Sequence, residues 1–296
     1  MKSMQVKEVT GRNACYDEKM GRYTVDESGS SSDPEKSNSE YKRKETQCKA
    51  IRHTTEQFYS HFVCTDITKL KDGTHFICAA ERDEELKGFG CRYGIYILAR
   101  EEMCVAAYSP RHAAFFERLK DKTAEEVIEA VRREHRMTEL KLFLFAGEKV
   151  NDFKNARLLG KEDYPLYEEF FRATNPDADP EGWLEEYFLE KAERGLFAGC
   201  ALGRRLVSVC DAPDMPYMEG RVQHTGIMTR AEHRGKGYGK AAAARATHHL
   251  IENGICPQWE CEAGNAASAA LAKSIGYEEY AVAYILKEAL ETAFPD

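Results

Sequence analysis

The segment Arg234-Gly235-Lys236-Gly237-Tyr238-Gly239-Lys240 places three glycines and three cations within seven residues. Glycine tolerates positive φ and lets a ligand approach the backbone, so successive N–H groups of such a turn can converge on one anion. A helix starting at Tyr238 adds the partial positive charge of its N-terminus, and Arg234, Lys236 and Lys240 add full charges. Pyrophosphate is the natural guest. Two other phosphate-binding patterns fit less well. A P-loop needs glycine six positions before its lysine and serine or threonine after it. Here Arg234 and Ala241 hold those positions around Lys240. The dinucleotide pattern G-x-G-x-x-G/A is met by Gly237, Gly239 and Ala242. That turn leaves its strand directly, however, whereas the six residues 229–234 intervene here.

The elements that must position this turn are legible on both sides. The segment RVQHTGIMT reads as the strand before it, and the helix after it runs to Asn253, with Gly254 at the C′ position. Upstream lie a short strand ARLLG, helices in EDYPLYEEFFRA and EGWLEEYFLEKAERG, and strands LFAGCALG and RLVSVCDA joined at Gly203-Arg204. The Pro213–Gly220 loop separates these from the strand RVQHTGIMT. Strand PQWECE, helix NAASAALAKSIG and strand EEYAVAYIL finish the chain. The order β-α-α-β-β-β-α-β-α-β describes an α/β sandwich rather than alternating βαβ units.

H-R-G-K-G-Y-G-K resembles the R/Q-x-x-G-x-G/A signature of the Gcn5-related N-acetyltransferase (GNAT) superfamily, in its usual place after the fourth strand. Asn265, Ser268, Leu271, Ile275, Gly276 and Tyr277 resemble the second half-motif, N-x-x-A/S-x-x-L-x-x-x-x-G-F/Y, and the element order matches from about Asn155 onward. W-E-C-E-x-x-N-x-x-S-x-x-L-A resembles a branch whose members carry an extra N-terminal α/β domain. The resemblance implies an α/β fold with a GNAT-type mixed sheet flanked by helices, preceded by a smaller α/β domain and a disordered N-terminal segment. It implies acetyl transfer from acetyl-CoA, without a metal, to a primary amine of a small-molecule acceptor. The other functions compatible with it are a CoA-binding or acyl-sensing module and a protein or peptide N-acetyltransferase.

Residue by residue, the resemblance gives the pyrophosphate to the N–H groups of Gly235 to Gly239. It runs the pantetheine arm beside Ile227, Met228 and Thr229, where an N–H near Met228 would stabilise a developing oxyanion. Asn265 caps the last helix and contacts the pantetheine, Ser268 belongs to the same cofactor-side motif, and Lys273 reaches the 3′-phosphate. An exposed helical lysine needs no such role. An ammonium acceptor must lose a proton, and Gln223, His224, Glu260 and Glu262 are the polar candidates on strands four and five. Glutamine cannot accept it. Histidine as a residue type titrates nearest neutrality, but alternation turns His224 away from the face of Gln223 unless a bulge re-aims it. Otherwise His224 is a packed or surface histidine. Glu262, near the end of its strand, is the better-placed carboxylate, against the reading of a simple solvated side chain. The superfamily's tyrosine, seven residues after the asparagine, is replaced by Ala272, and Tyr277 reads as core. A thiol with pKa about 8.5 leaves without much help.

The rest of the chain frames this domain. Residues 1–47 are polar, the stretch 24–47 almost wholly so, and are expected to be disordered. Residues 48–150 read as a small α/β unit, with strands THFICAA, YGIYILA, MCVAAY and LKLFLFAG and a helix capped by Thr123 and Glu126. It shows no catalytic motif and is available as an effector or dimerisation unit, which allows a homodimer. GEKVNDFKN marks the expected boundary, and 151–296 forms the acyltransferase domain. A net charge of −8 argues against a nucleic-acid partner. No apolar run approaches the roughly 18 residues of a membrane span, and the first twenty residues lack the apolar core of a secretory signal. A cytoplasmic protein is expected. Ten cysteines without a C-x-x-C pair read as reduced core thiols rather than a disulfide framework or zinc site.

Overall fold

The computed structural model describes residues 14–17, 22–25, 34–147, 153 and 156–290, with side chains from Glu45 onward. Two compact units divide at Gln47/Cys48. The first contains an antiparallel hairpin of β1 (Ala14–Asp17) and β2 (Arg22–Val25) and the start of helix α1 (Pro34–Phe62). Proline is well suited to the first turn of a helix, and the Glu, Lys, Arg and Gln that follow are good helix formers. The second half of α1 supplies what the polar half lacks. Ile51, Thr55, Phe58, Tyr59 and Phe62 recur at helical spacing and are buried. A nucleus fixed by packing can propagate into a polar extension at little cost.

The second unit is a mixed α/β structure. Its strands are β3 (Gly73–Cys78), β4 (Cys91–Arg100), β5 (Met103–Tyr108), β6 (Thr138–Phe145), β7 (Ala156–Leu158), β8 (Ala198–Leu202), β9 (Arg205–Asp211), β10 (Val222–His224), β11 (Gly226–Thr229), β12 (Cys256–Glu262) and β13 (Tyr277–Ala289). Between them run α2 (Ala113–Glu117), α3 (Ala124–Glu134), α4 (Tyr164–Thr174), α5 (Leu184–Glu193), α6 (Tyr238–Glu252) and α7 (Ala266–Ser274). A seven-stranded sheet has the order β10-β12-β6-β13-β4-β5-β3, and a four-stranded sheet the order β11-β9-β8-β7. The helix over 124–134 carries the expected capping box, Thr123 with Glu126.

The division expected at 150 does not separate two sheets. β6, from before that point, lies between β12 and β13 from after it, pairing antiparallel with both. β13 then pairs with β4 on its other edge. The reason is that β6 is apolar enough to be buried as a central strand, with Leu142, Phe143, Leu144 and Phe145 all at most 4% exposed. The expected boundary segment GEKVNDFKN falls largely outside the described residues. α6 packs on β7, β8, β9, β11 and β12, and α7 on β12 and β13. α1 lies on the other face of β12, where Thr55 receives the amide of Gln258, and α4 packs on β9. Of the nine cysteines with described side chains, six are buried. Among the described residues no helix is long and apolar enough to cross a membrane.

Candidate active site

The fourth strand of the C-terminal part changes partners midway. Its first half, β10, runs parallel to β12, held by Cys256 N–H on Arg221 O (2.8 Å) and Thr225 N–H on Gln258 O (3.2 Å). Its second half, β11, runs antiparallel to β9, and Arg230 N–H on Val207 O (3.0 Å) continues that ladder. The two ladders give one alternation: odd-numbered residues aim their backbone groups at β12, even-numbered ones at β9. Beyond Thr225 the strand and β12 no longer pair, so the N–H groups of Ile227 and Thr229 open onto a gap between β11 and the second half of β12.

One face of this gap carries the N-terminus of α6. Gly237 is its N-cap at φ +84° and, lacking a side chain, leaves the N–H groups of the first turn uncapped. Gly235, at φ +72°, is the other left-handed position of the turn. Gly239 brings the helix against β11: a Cβ there would stand 3.1 Å from Thr229 Oγ1 and 3.8 Å from Ile227 Cγ1. Ala241 to Ala244, all buried, let the rest of the helix sit equally close. Arg234 Nε donates to Thr229 O (3.2 Å) and Lys236 Nζ to Glu232 O (2.8 Å), while Lys240 is exposed. Uncapped helix N–H groups beside cations are the chemistry that suits an anion.

The opposite face carries a cluster of titratable side chains. Gly226 is paired with Asp211, and Asp211 Oδ1 lies 1.9 Å from where a Gly226 Cβ would stand, so only glycine lets the carboxyl cover the strand there. Burial pushes this carboxyl up to about 6. Tyr187 beside it donates to Ala212 O (3.2 Å), and burial, with the Asp211 charge second, drives its phenol far above the ordinary range. His224 shares the face of Gly226, two residues away. Its Nε2 lies 3.5 Å from Glu260 Oε1, which accepts from Tyr59 OH at 2.9 Å, and Phe58 packs edge-on against the imidazole. Burial above all, and then the Glu260 charge, raise the Tyr59 phenol well above its usual value, so it stays a donor.

With this geometry in place, comparison with known proteins is informative. The sequence model of the GNAT acetyltransferase family matches residues 200–285, a stretch holding the partner switch, the glycine turn and α7. Over that stretch the chain resembles the GNAT acetyltransferases. An uncharacterised N-acetyltransferase of Bacillus subtilis, YdfB, is 31% identical over 108 residues, which cover 34% of this chain and 40% of YdfB. The chain therefore spans about two fifths of the length of that relative. Among solved structures, a GCN5-related N-acetyltransferase from Sphaerobacter thermophilus is 12% identical with TM-score 0.45, over 56% of this chain and 57% of that one. A GCN5-related N-acetyltransferase-like protein from Streptococcus suis is 17% identical with TM-score 0.39, over 81% of this chain and 100% of its own.

The GNAT signature residues Arg234 to Lys240 lie where the sequence puts them, at the start of α6. Asn265 caps α7, accepting from Ser268 N–H at 3.0 Å. Ser268 Oγ accepts from Trp259 Nε1 at 3.0 Å, so it supports β12. Lys273 pairs with Glu279 at 2.9 Å rather than standing free for a phosphate. Tyr277 is core, sharing a hydrogen bond with Thr247 Oγ1 at 3.0 Å, and Ala272 is fully buried. Three expectations change. Met228 cannot supply the oxyanion N–H, because the alternation turns that group into the β9 ladder; its side chain, 38% exposed, lies on the Asp211 face. Glu262 is exposed at the strand end, whereas Glu260 is the carboxylate joined to His224. No bulge is needed for His224, because the switch at Thr225 brings its face to the gap. Gln223, on the other face, donates to Pro213 O (2.8 Å). Sequence reasoning missed Asp211 and Tyr59. The only trace of Asp211 is an acidic residue closing an apolar strand, and its partner Gly226 is fifteen residues away.

Proposed function

We propose that this protein binds acetyl-CoA at the N-terminus of α6 and transfers the acetyl group to a primary amine of a small acceptor that approaches from the Asp211 face. The observation that carries the reading is the partner switch at Thr225. It opens one gap with an anion site on one side and a carboxyl titrating near 6 on the other. The uncapped N–H groups of the Gly235–Gly239 turn suit the pyrophosphate, with Arg234, Lys236 and Lys240 neutralising its charge. The N–H groups of Ile227 and Thr229 suit the amide-rich arm and the thioester oxygen. Acetyl-CoA supplies an activated acyl group whose thiol leaves readily. Asp211, ionised above pH 6, takes the proton that an ammonium must shed before it can attack. His224, held by Glu260 and Tyr59, provides a second polar contact on that face. The test is release of free thiol from acetyl-CoA with a panel of primary amines. Amine-dependent release supports the reading; cofactor binding without any release across the panel would leave only a CoA-binding module.

A further inference from the structure

Arg82 lies in the short turn Ala80–Asp83, is 3% exposed, and forms no ion pair among the described residues. Its Nη2 donates to Tyr217 OH at 3.3 Å, while Nε and Nη1, both buried, have no partner. The adjacent Cys64 thiol offers no counter-charge, because burial raises its pKa against the pull of Arg82. Buried guanidinium donors left without a hydrogen-bond partner are costly, and their planar fork matches a carboxylate.

Arg82 lines a cavity of about 670 Å³, walled also by Ser60 and His61 of α1, by Cys64 just beyond that helix, by Tyr93 and by Tyr217. The elements that build it also build the face that carries His224 and Glu260. One turn earlier on α1, Phe58 packs on His224 and Tyr59 bonds Glu260. Two residues before Tyr217, Met215 Sδ accepts from His224 N–H at 3.2 Å, and His61 stacks on Tyr217 with ring centroids 5.0 Å apart. The wall favours one negative charge over two. Asp66, Glu81, Glu84 and Glu85 outnumber Arg82 and Lys87, so a dianionic phosphate would be repelled where a zwitterion is tolerated. Among the described residues none of the four forms an ion pair with Arg82; Asp66 pairs with Lys69, and Glu85 accepts from Gly90 N–H.

We infer that Arg82 anchors the carboxylate of an amino-acid-like acceptor whose amine is presented toward the Asp211 face. This deepens, and rests on, the acyltransfer reading above. The test uses the full chain, acetyl-CoA, and glycine, leucine and phenylalanine against methylamine, 3-methylbutylamine and phenethylamine. The amino acids should show KM values lower by about tenfold or more. Arg82→Gln should erase that preference, and Arg82→Lys should restore part of it. Arg82→Gln should also keep or raise the melting temperature, since it removes an uncompensated charge. A purely structural arginine would lower the melting temperature and leave the KM ratio alone. Preference for the amines, or a preference for the acids that survives in Arg82→Gln, overturns the inference. Calorimetric titration with the three amino acids in the absence of acetyl-CoA reads the cavity independently of turnover. Binding lost in Arg82→Gln upholds the carboxylate site even if no amine is acetylated, a failure that would fall on the acyltransfer reading alone; no binding and no preference overturns the site.

Discussion

The Asp211 carboxyl, ordinarily near 3.8, titrates at about 6 because burial penalises its charged form. The raised value makes the protonated form the one that favours folding. Its contribution is full below about pH 4 and is lost as pH climbs through 6, leaving an enclosed anion at neutrality. A two-unit shift corresponds to about 2.7 kcal/mol, less for a group that keeps some solvent. Asp211→Asn is therefore expected to stabilise the protein by about 1–2 kcal/mol at pH 8, with little change at pH 4, in denaturant melts at both pH values. The same substitution should lower kcat by about 10²–10⁴-fold and remove the rise of kcat/KM through pH 6 expected of the wild type. Unchanged rates would remove Asp211 as the base. Gly226→Ala tests the same contact sterically. A methyl group 1.9 Å from Oδ1 must displace the carboxyl, so activity should fall as for Asp211→Asn while acetyl-CoA binding is kept. At this scale the sequence was legible only in part. Gly235, Gly237 and Gly239 declare themselves by spacing, whereas Asp211 gains its role from a cross-strand neighbour that the local pattern of RLVSVCD does not encode.

Among the elements, α6 and α7 are the most legible, because each is opened and closed by residues with a local mechanism. Gly237 and Gly254 bracket α6, and Asn265 opens α7 with a cap that stands in the structure. Asn265→Ala should cost about 1 kcal/mol in a urea melt, the usual worth of such a cap. A negligible loss would mean the Ser268 N–H finds another acceptor. Strand four is the counter-example. Its existence follows from RVQHTGIMT, but which of its N–H groups stay free depends on two ladders with different partners. Only the register assigns the open groups to Ile227 and Thr229 rather than Met228.

For the whole molecule, what mattered was non-local pairing. LKLFLFAG reads as a strand from its own residues, yet nothing in it tells that it inserts between PQWECE and EEYAVAYIL more than a hundred residues later. α1 likewise brings Tyr59 to Glu260 across a separation of 201 residues. The segment without a catalytic motif thus completes both the sheet and the face that carries His224 and Glu260. A chain beginning at residue 151 would expose the edges of β12 and β13 and lose Tyr59, and is expected to be insoluble or to melt without cooperativity. A soluble 151–296 fragment with a sharp transition would contradict the interleaved sheet. The most direct test of the donor site is calorimetric titration of acetyl-CoA into the full chain and into Gly237→Glu, which sets a carboxylate where the α6 N–H groups converge. The wild type should bind in the micromolar range or tighter, about −8 kcal/mol, and the variant at least about tenfold more weakly. No binding by the wild type, or equal binding by the two, would contradict an acetyl-CoA site at the head of α6.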